Sequence, residues 1–247
     1  CGCPIKPLGG IARRLGYINA WHRRSPDAAI ITVDAGHIFS DEMTGNDLNP
    51  DAKLMNDWIV RANEKMEMSA VNLSYRDVVY GGRLFQKGAA LRPEKTSVIS
   101  ANARKEGLEI QPYVIKTFTA KRLKKPLRIA FIGISDLPPA DFKDAVAKSG
   151  FTFTDPLEAA KSALAAVSGK SDLNVIIGYF RPGLANKLAN QNPELDVIIS
   201  YDDRGIVSDP KQVGNALIVF ASHQTKYLGE LRFYADSNGQ VERFTNR

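Results

Sequence analysis

Residues that could take part in chemistry follow a predicted strand, in the segment Asp34-Ala35-Gly36-His37. The run before them, residues 28–33, is almost entirely apolar, as in a buried parallel strand. α/β proteins place their ligands at the carboxyl ends of strands. A carboxylate and an imidazole there could hold a metal ion, so Asp34 and His37 are candidate ligands. The alternative for His37 is an imidazole hydrogen-bonded in a polar cleft without a metal.

Other reactive pairs in the sequence do not form a convincing catalytic set. Asp202 and Asp203 are adjacent carboxylates, but neighbouring residues on a strand point to opposite faces. Ser222 precedes His223, yet neither an acid partner nor a G-x-S-x-G nucleophile elbow can be assigned. We therefore predict no catalytic residue in this chain, and we keep Asp202 only as a candidate metal ligand.

Basic residues are concentrated in one stretch. The chain has 247 residues, 44% of them hydrophobic, and a net charge of +6. Much of the excess lies in residues 116–128, where Lys121, Arg122, Lys124 and Lys125 are candidate binding residues. Such a run could meet phosphate, an anionic membrane or an acidic protein. The alternative is a solvated loop between two strands, and no nucleic-acid motif accompanies the run.

The cysteines and the hydropathy pattern exclude several classes of protein. No run of eighteen apolar residues is present, so we predict no membrane-spanning helix. Cys1 and Cys3 are too close in sequence for a relaxed disulfide. The chain lacks a C-x-x-C-H haem-attachment motif.

Apolar and amphipathic segments alternate along the chain, which predicts an α/β fold in one domain spanning residues 1–247. The predicted helices are residues 9–24, 50–66, 156–168 and 183–192. The predicted strands are residues 28–36, 68–74, 96–102, 111–120, 127–135, 172–180, 195–203, 215–222, 227–236 and 240–246. The strand at 127–135 is the most hydrophobic, and we expect it to be central. The last two strands are expected to form a hairpin around "DSNG".

Two of the predicted helices carry further local signals. In the helix at 50–66, Leu54, Trp58 and Ile59 are expected to lie along one apolar face. Asp155 is the predicted N-cap of the next helix, which starts at Pro156.

The order of these segments carries a family resemblance. "PLGGIARR", "IITVDAGHIF", "SAVNLSYRD", "SVISANA", "LRIAFIGIS", "LDVIISYDD" and "YLGELRF" together resemble the metallophosphoesterase domain of the UshA-like 5′-nucleotidases. "CGC" at the start is similar to a branch associated with multihaem cytochromes. The resemblance covers Gly9 to Phe233. It implies a four-layer α/β/β/α sandwich with mixed sheets, two metal ions between the sheets and hydrolysis of nucleotide phosphoesters.

The resemblance also implies which positions would carry the metal ligands, and every matched position is altered. The Gly-Asp, Gly-Asn-His-Glu, Ser-His and Gly-His-x-His motifs correspond to Gly36-His37, Asn72-Leu73-Ser74-Tyr75, Gly178-Tyr179 and Tyr201-Asp202-Asp203-Arg204. A neutral imidazole cannot bridge two metals with one lone pair. We therefore expect no cofactor, or at most one divalent ion held by His37 with Asp34 or Asp202.

These substitutions favour a non-catalytic binding or scaffold subunit located in the periplasm or outside the cell. The resemblance suggests a multihaem cytochrome as the partner. The alternative is a metal-dependent phosphoesterase with a rearranged site. The family's first strand has no counterpart, which would leave a slot of unpaired backbone groups in one sheet. We expect the sequence to be trimmed or to omit preceding residues, with a lipid anchor on Cys1 as the alternative.

Overall fold

The helices and strands alternate along most of the chain. The structure is a computed structural model that describes residues 9–40, 42–44, 47–81, 96–119, 123–201, 209–221, 227–238 and 241–246. Its helices are α1 (Ile11–Arg24), α2 (Pro50–Met66), α3 (Val78–Gly81), α4 (Lys143–Ser149), α5 (Pro156–Val167) and α6 (Pro182–Gln191). Its strands are β1 (Val33–Asp34), β2 (Met43–Thr44), β3 (Asp47–Leu48), β4 (Ala70–Asn72), β5 (Ser97–Ile99), β6 (Ala103–Lys105), β7 (Tyr113–Phe118), β8 (Leu127–Ser135), β9 (Phe151–Phe153), β10 (Leu173–Tyr179), β11 (Val197–Tyr201), β12 (Lys211–Val213), β13 (Ala216–Ala221), β14 (Leu231–Ala235) and β15 (Val241–Asn246).

Two sheets form the centre of the molecule. The first has the order β1-β4-β5 and is parallel throughout. The second has the order β12-β13-β11-β10-β8-β7, with a parallel middle and antiparallel edges at β12 and β7. The strands β14 and β15 form a separate antiparallel hairpin. The prediction of an α/β fold with mixed sheets is confirmed.

Apolar packing arranges these elements in layers. Ile99 of the first sheet shares a core with Phe131 and Ile177 of the second. On the far side of the second sheet, Leu164 and Leu188 bring α5 and α6 against the strands. On the far side of the first sheet, α1 and α2 contribute side chains to a core around Val71 of β4. The result is the helix–sheet–sheet–helix order expected from the resemblance.

Local sequence signals explain where the helices begin. The side chain of Asn49 accepts a hydrogen bond from Asp51 N at the start of α2, and Asp155 accepts from Leu157 N and Glu158 N at the start of α5. Pro50 and Pro156 follow these caps at the first helical position, where proline costs no hydrogen bond. The predicted Asp155 cap is confirmed. No helix in the described part of the chain is long and apolar enough to cross a bilayer.

One expectation about packing holds and one is wrong. The strand β8 lies inside the sheet, between β10 and the edge strand β7, and both of its faces are covered. In α2 the apolar residues Leu54 and Trp58 face outward, each 60% exposed. The helix instead buries a face containing Ala52, Asn56, Val60, Asn63 and Met66.

Candidate functional site

The loop after β1 is held in place by one buried carboxylate, Asp77. Its Oδ2 accepts hydrogen bonds from His37 N at 2.8 Å and Ser74 N at 3.0 Å. Its Oδ1 accepts from Ile38 N at 2.9 Å and from Phe39 N at 3.3 Å. Burial raises the pKa of Asp77, and hydrogen bonds from Ser74 and His37 act in the opposite direction. Asp77 therefore ties the loop after β1 to the loop after β4.

His37 has an unusual backbone conformation within this loop. Its φ is +57°, in the left-handed region that histidine adopts more readily than most residues. Its N–H also lies 3.1 Å from Ser74 Oγ, which itself donates to Asp77 Oδ2 at 2.5 Å. The preceding Gly36 has φ +107°, and a Cβ there would lie 3.0 Å from Ser74 Cβ. The glycine and the left-handed turn together bring the His37 ring to the carboxyl edge of the sheets.

His37 joins a group of aromatic rings at that edge, centred on Tyr179. The ring of Tyr179, at the end of β10, packs edge-on against the His37 ring at a centroid distance of 5.3 Å. Tyr201, at the end of β11, stacks on Tyr179 at 4.7 Å. Tyr75 approaches Tyr179 edge-on at 5.6 Å. We call the residues His37, Tyr75, Tyr179 and Tyr201 the ring cluster.

Burial keeps the phenols of Tyr75 and Tyr179 in the ring cluster protonated. Burial raises the pKa of Tyr179 well above its usual range. The pKa of Tyr75 is also raised by burial, and this effect is partly offset by the neighbouring Arg76. The Arg76 guanidinium carbon lies 4.4 Å from the centroid of Phe142, whose ring packs against Tyr75. Because a phenol must lose its proton to become a strong metal ligand, these tyrosines are poor ligands at neutral pH.

The predicted metal ligands Asp34 and His37 contact different groups in the structure. Asp34 Oδ2 accepts from Arg14 Nη1 at 3.0 Å, and Asp34 Oδ1 accepts from Gly36 N at 3.1 Å, so both carboxylate oxygens are engaged. His37 instead lies in the ring cluster. Asp202 lies outside the described residues. The pairing of His37 with either carboxylate on one ion stays a prediction. The residues that the structure describes contain no group of three or more His, Cys, Asp or Glu side chains that could hold a metal.

The predicted basic residues are only partly within the described chain. Lys124 is exposed and its N–H donates to Ser237 O at 2.8 Å. Lys125 Nζ lies 3.8 Å from Asp172 Oδ1. Lys121 and Arg122 lie outside the described residues. The described part of the predicted basic segment thus contacts the β14–β15 turn and the start of β10.

Sequence reasoning missed the packing of the ring cluster and the role of Asp77. Tyr179 was recognisable as a residue that replaces an expected ligand, and Tyr75 and Tyr201 lie at other positions of the matched motifs, but nothing in their spacing indicated that the three tyrosines contact one another. The one indication of Asp77 in the sequence is that it is an acidic residue, two positions after Tyr75, in the loop that follows the buried strand β4.

Comparison with known proteins identifies the architecture. A protein described as the uncharacterized metallophosphoesterase YunD of Bacillus subtilis is 29% identical over 126 residues, which are 51% of this chain and 25% of that protein. The 5′-nucleotidase precursor of Thermus thermophilus superposes with a TM-score of 0.70 at 20% identity, over 97% of this chain and 48% of that chain. The calcineurin-like phosphoesterase YfkN of Bacillus subtilis superposes with a TM-score of 0.74 at 16% identity, over 97% of this chain and 81% of that chain. The fold is that of calcineurin-like phosphoesterases and 5′-nucleotidases.

The similarity in sequence to known proteins is limited. No family model matches the chain. The chain spans about a quarter of YunD and about half of the 5′-nucleotidase precursor. What the phosphoesterase fold establishes here is therefore the arrangement of sheets and helices, and the chemistry depends on this chain's own residues.

The described residues do not fit a two-metal centre of the kind the resemblance implies. The four matched ligand positions within the described chain carry His37, Leu73, Ser74 and Tyr179. Leu73 is a hydrocarbon that is 1% exposed, and the Ser74 hydroxyl is committed to Asp77. Paired cations need several anionic or imidazole ligands on neighbouring strand ends. The ring cluster offers one imidazole and three phenols.

Proposed function

We propose that this phosphoesterase-fold chain is a binding subunit that does not hydrolyse phosphoesters through paired metals. The observation that carries the proposal is the packing of Tyr179 between His37, Tyr75 and Tyr201. Tyr179 is 7% exposed and occupies a matched ligand position. A buried neutral phenol there leaves little room and no charge for a metal ion. The function of such a chain would lie in its surfaces.

A metal and activity assay tests this proposal directly. The purified protein would be analysed for bound metal by inductively coupled plasma mass spectrometry. It would then be assayed with 5′-AMP and bis(p-nitrophenyl) phosphate in the presence of Mn²⁺, Mg²⁺ or Zn²⁺. We expect fewer than two tightly bound ions per chain and no turnover above buffer. Two bound ions with turnover that disappears in His37→Ala would refute the proposal.

A second candidate function is a metal-dependent phosphoesterase with a rearranged site. The observation in its favour is the position of Tyr201, which stacks within the ring cluster and directly precedes Asp202 and Asp203 in the sequence. Those carboxylates and His37 would have to coordinate the same metal ion. Under this alternative Asp202→Asn and His37→Ala would each abolish activity. Asp209→Asn, which changes an exposed carboxylate a little further along the sequence, would not.

We further propose a periplasmic or extracellular location and a multihaem cytochrome as the partner. The support is the resemblance together with the basic segment around the exposed Lys124 and Lys125. Tagged protein isolated from its native cells would be examined for haem absorbance, and cell fractions would be probed for its location. Charge reversal of Lys124 and Lys125 should reduce haem recovery, while charge reversal of the exposed Lys143 should not. Recovery of the protein without haem would contradict the cytochrome assignment.

A further inference from the structure

The helix α2 carries three large apolar side chains on the side that faces away from the sheets. Leu54 and Trp58 are each 60% exposed and Met55 is 41% exposed, whereas Asn56 and Asn63 on the opposite side are buried. Single exposed apolar residues are common on proteins, but these three lie together on adjacent turns of one helix. Apolar surface becomes favourable only when it leaves water, so this patch calls for a covering surface.

Basic side chains continue the patch along α2. Arg61 and Lys65 are exposed and follow Leu54 and Trp58 at spacings that place all four on one line of the helix surface. The guanidinium carbon of Arg61 lies 5.0 Å from the centroid of the Trp58 ring. The only exposed acid within α2 is Asp51 in the first turn, where the helix dipole favours a carboxylate. We call the following residues the α2 face: Leu54, Met55, Trp58, Arg61 and Lys65.

The neighbouring helix α1 adds positive charge on the same side of the molecule. Ile18 of α1 and Met66 of α2 share a buried cluster with Val71 of β4, so both helices lie on the outer side of the first sheet. The sequence of α1 contains no aspartate or glutamate. Its exposed arginines are Arg13, Arg23 and Arg24. The layer formed by α1 and α2 thus combines an apolar patch with an excess of positive charge.

The size and chemistry of the α2 face favour a lipid surface as the occupant. Its three apolar side chains offer on the order of 300 Å², whereas a specific protein interface buries about 800 Å² on each partner. Tryptophan is enriched where membranes meet water, because its ring is apolar and its N–H is polar. A covering protein segment would need acids placed opposite Arg61 and Lys65. An anionic bilayer presents apolar chains and phosphates in one continuous surface.

We propose that the α2 face docks on the surface of an anionic lipid bilayer. Leu54, Met55 and Trp58 enter the headgroup region, while Arg61 and Lys65 lay their stems along the apolar surface and keep their charged ends at the phosphates. The exposed arginines of α1 strengthen the attraction, since basic residues near an anionic membrane each add to binding. The contact is peripheral and reversible, because three inserted side chains bury little apolar area. This inference goes beyond the proposed function and does not depend on the metal content of the ring cluster.

Vesicle sedimentation tests the docking. The full chain would be mixed with vesicles of phosphatidylcholine alone, or of phosphatidylcholine and phosphatidylglycerol in equal parts, and the pelleted fraction would be measured. We expect binding to the anionic vesicles to be at least about tenfold stronger than to the neutral ones and to weaken as salt is added.

Tryptophan fluorescence reports on the α2 face itself. In a Trp21→Phe background the emission comes from Trp58 alone, because the chain has only two tryptophans. When anionic vesicles are added, this emission should shift to shorter wavelength and become protected from quenching by acrylamide.

Matched variants distinguish the α2 face from other exposed surfaces. Trp58→Ser should weaken binding to the anionic vesicles at least about tenfold by removing the largest inserted ring. Leu137→Ser, at a leucine that is 47% exposed, should leave binding unchanged. Arg61→Gln should weaken binding about fivefold by removing one charge near the phosphates. Lys161→Gln, at an exposed lysine of α5 in the opposite helical layer, is its control. Circular dichroism checks that each variant folds.

The docking proposal would be overturned by any of several results. Failure to pellet with anionic vesicles, equal pelleting with neutral vesicles or unchanged binding of Trp58→Ser would each do so. A Trp58 emission that is blue-shifted and protected from acrylamide before lipid is added would show that the protein itself covers the α2 face. A dimer that Trp58→Ser converts to a monomer, detected by light scattering without lipid, would show that a second copy is the occupant.

Discussion

The ring of Tyr179 stacks on the ring of Tyr201 with centroids 4.7 Å apart and planes 23° apart. The two residues end neighbouring parallel strands, β10 and β11, so the fold itself brings them to the same edge. His37 and Tyr75 then contact Tyr179 edge-on, an arrangement favoured by the quadrupoles of aromatic rings. Tyr179 is thus the central member of a packed group of rings.

Truncating Tyr179 should therefore behave as a core substitution. Tyr179→Ala is expected to lower the free energy of unfolding by about 3–5 kcal/mol because it leaves a cavity among rings. Tyr179→Phe keeps the ring and should cost less than about 1.5 kcal/mol. Urea denaturation measures both values, with Tyr227→Ala as a control at a tyrosine that is 51% exposed. A Tyr179→Ala protein as stable as the Tyr227→Ala protein would mean that the ring cluster does not contribute to the core.

Removal of the Asp77 carboxylate should release the loop that carries His37. Asp77→Ala leaves several buried N–H groups without an acceptor, among them those of His37, Ile38 and Ser74. We expect a loss of about 3–5 kcal/mol in the free energy of unfolding, because each buried donor left without an acceptor costs about 1–3 kcal/mol. Asp77→Asn should lie between Asp77→Ala and the parent, since it retains one oxygen.

Hydrogen exchange would localise that effect. Residues 36–39 should exchange faster in Asp77→Ala, whereas Asp141→Asn, at an exposed carboxylate, should leave them unchanged. Unchanged exchange in residues 36–39 of the Asp77→Ala protein would contradict the anchoring role.

The pH dependence of stability should contain a contribution from Asp172. Hydrogen bonds from Arg128 hold the pKa of Asp172 below its ordinary value of 3.8. A carboxyl whose pKa is lower in the folded state adds stability above its unfolded pKa, and this stability is lost as pH falls through the folded pKa. Asp172→Asn should thus cost up to about 1 kcal/mol at pH 7, and the difference from the parent should shrink below about pH 4.

Urea unfolding between about pH 2 and pH 7 measures this difference. Asp144→Asn, at an exposed carboxylate of α4, is the matched control. A difference between parent and Asp172→Asn that stayed constant across this range would show that ionisation of Asp172 does not contribute.

Much of the fold could be predicted from the sequence because local patterns and packing agree there. The segment 127–135 is continuously apolar and forms β8, and "DSNG" lies between β14 and β15 as expected. The orientation of α2 could not be predicted in the same way. Two of its large apolar residues, Leu54 and Trp58, are exposed, because the buried face combines Val60 and Met66 with small and polar residues such as Ala52 and Asn56. Asn56 is satisfied there by hydrogen bonds with Ser40, a contact across 16 positions.

The candidate site was less predictable than the fold because it depends on contacts between distant loops. The matched positions argued against a two-metal centre, but they did not indicate that His37, Tyr75, Tyr179 and Tyr201 would pack together. Asp34 and His37 lie three residues apart, yet Arg14 from α1 engages Asp34 while Asp77 anchors the backbone of His37. Side-chain pairing of this kind is specified by tertiary structure and has no signature in local sequence.

The contact between Glu230 and α1 offers a final prediction about how the β14–β15 hairpin is held. Glu230 accepts hydrogen bonds from the Tyr17 hydroxyl, from Trp21 Nε1 at 3.1 Å and from Arg232 Nε. Glu230→Gln replaces one acceptor oxygen by an NH₂ group that faces these donors. The hairpin should therefore detach from α1 more often, so amides of residues 231–246 should exchange faster while those of β8 remain unchanged.

Tryptophan fluorescence provides an independent readout, since the chain has only two tryptophans and Trp58 is 60% exposed. In a Trp58→Phe background the emission reports Trp21 alone, and Glu230→Gln should shift it to longer wavelength as the ring gains solvent. Glu106→Gln, at an exposed turn residue, is the control and should change neither measurement. An unchanged Trp21 emission together with unchanged exchange in residues 231–246 would mean that the hairpin is held by the Leu231 core contact instead of by Glu230.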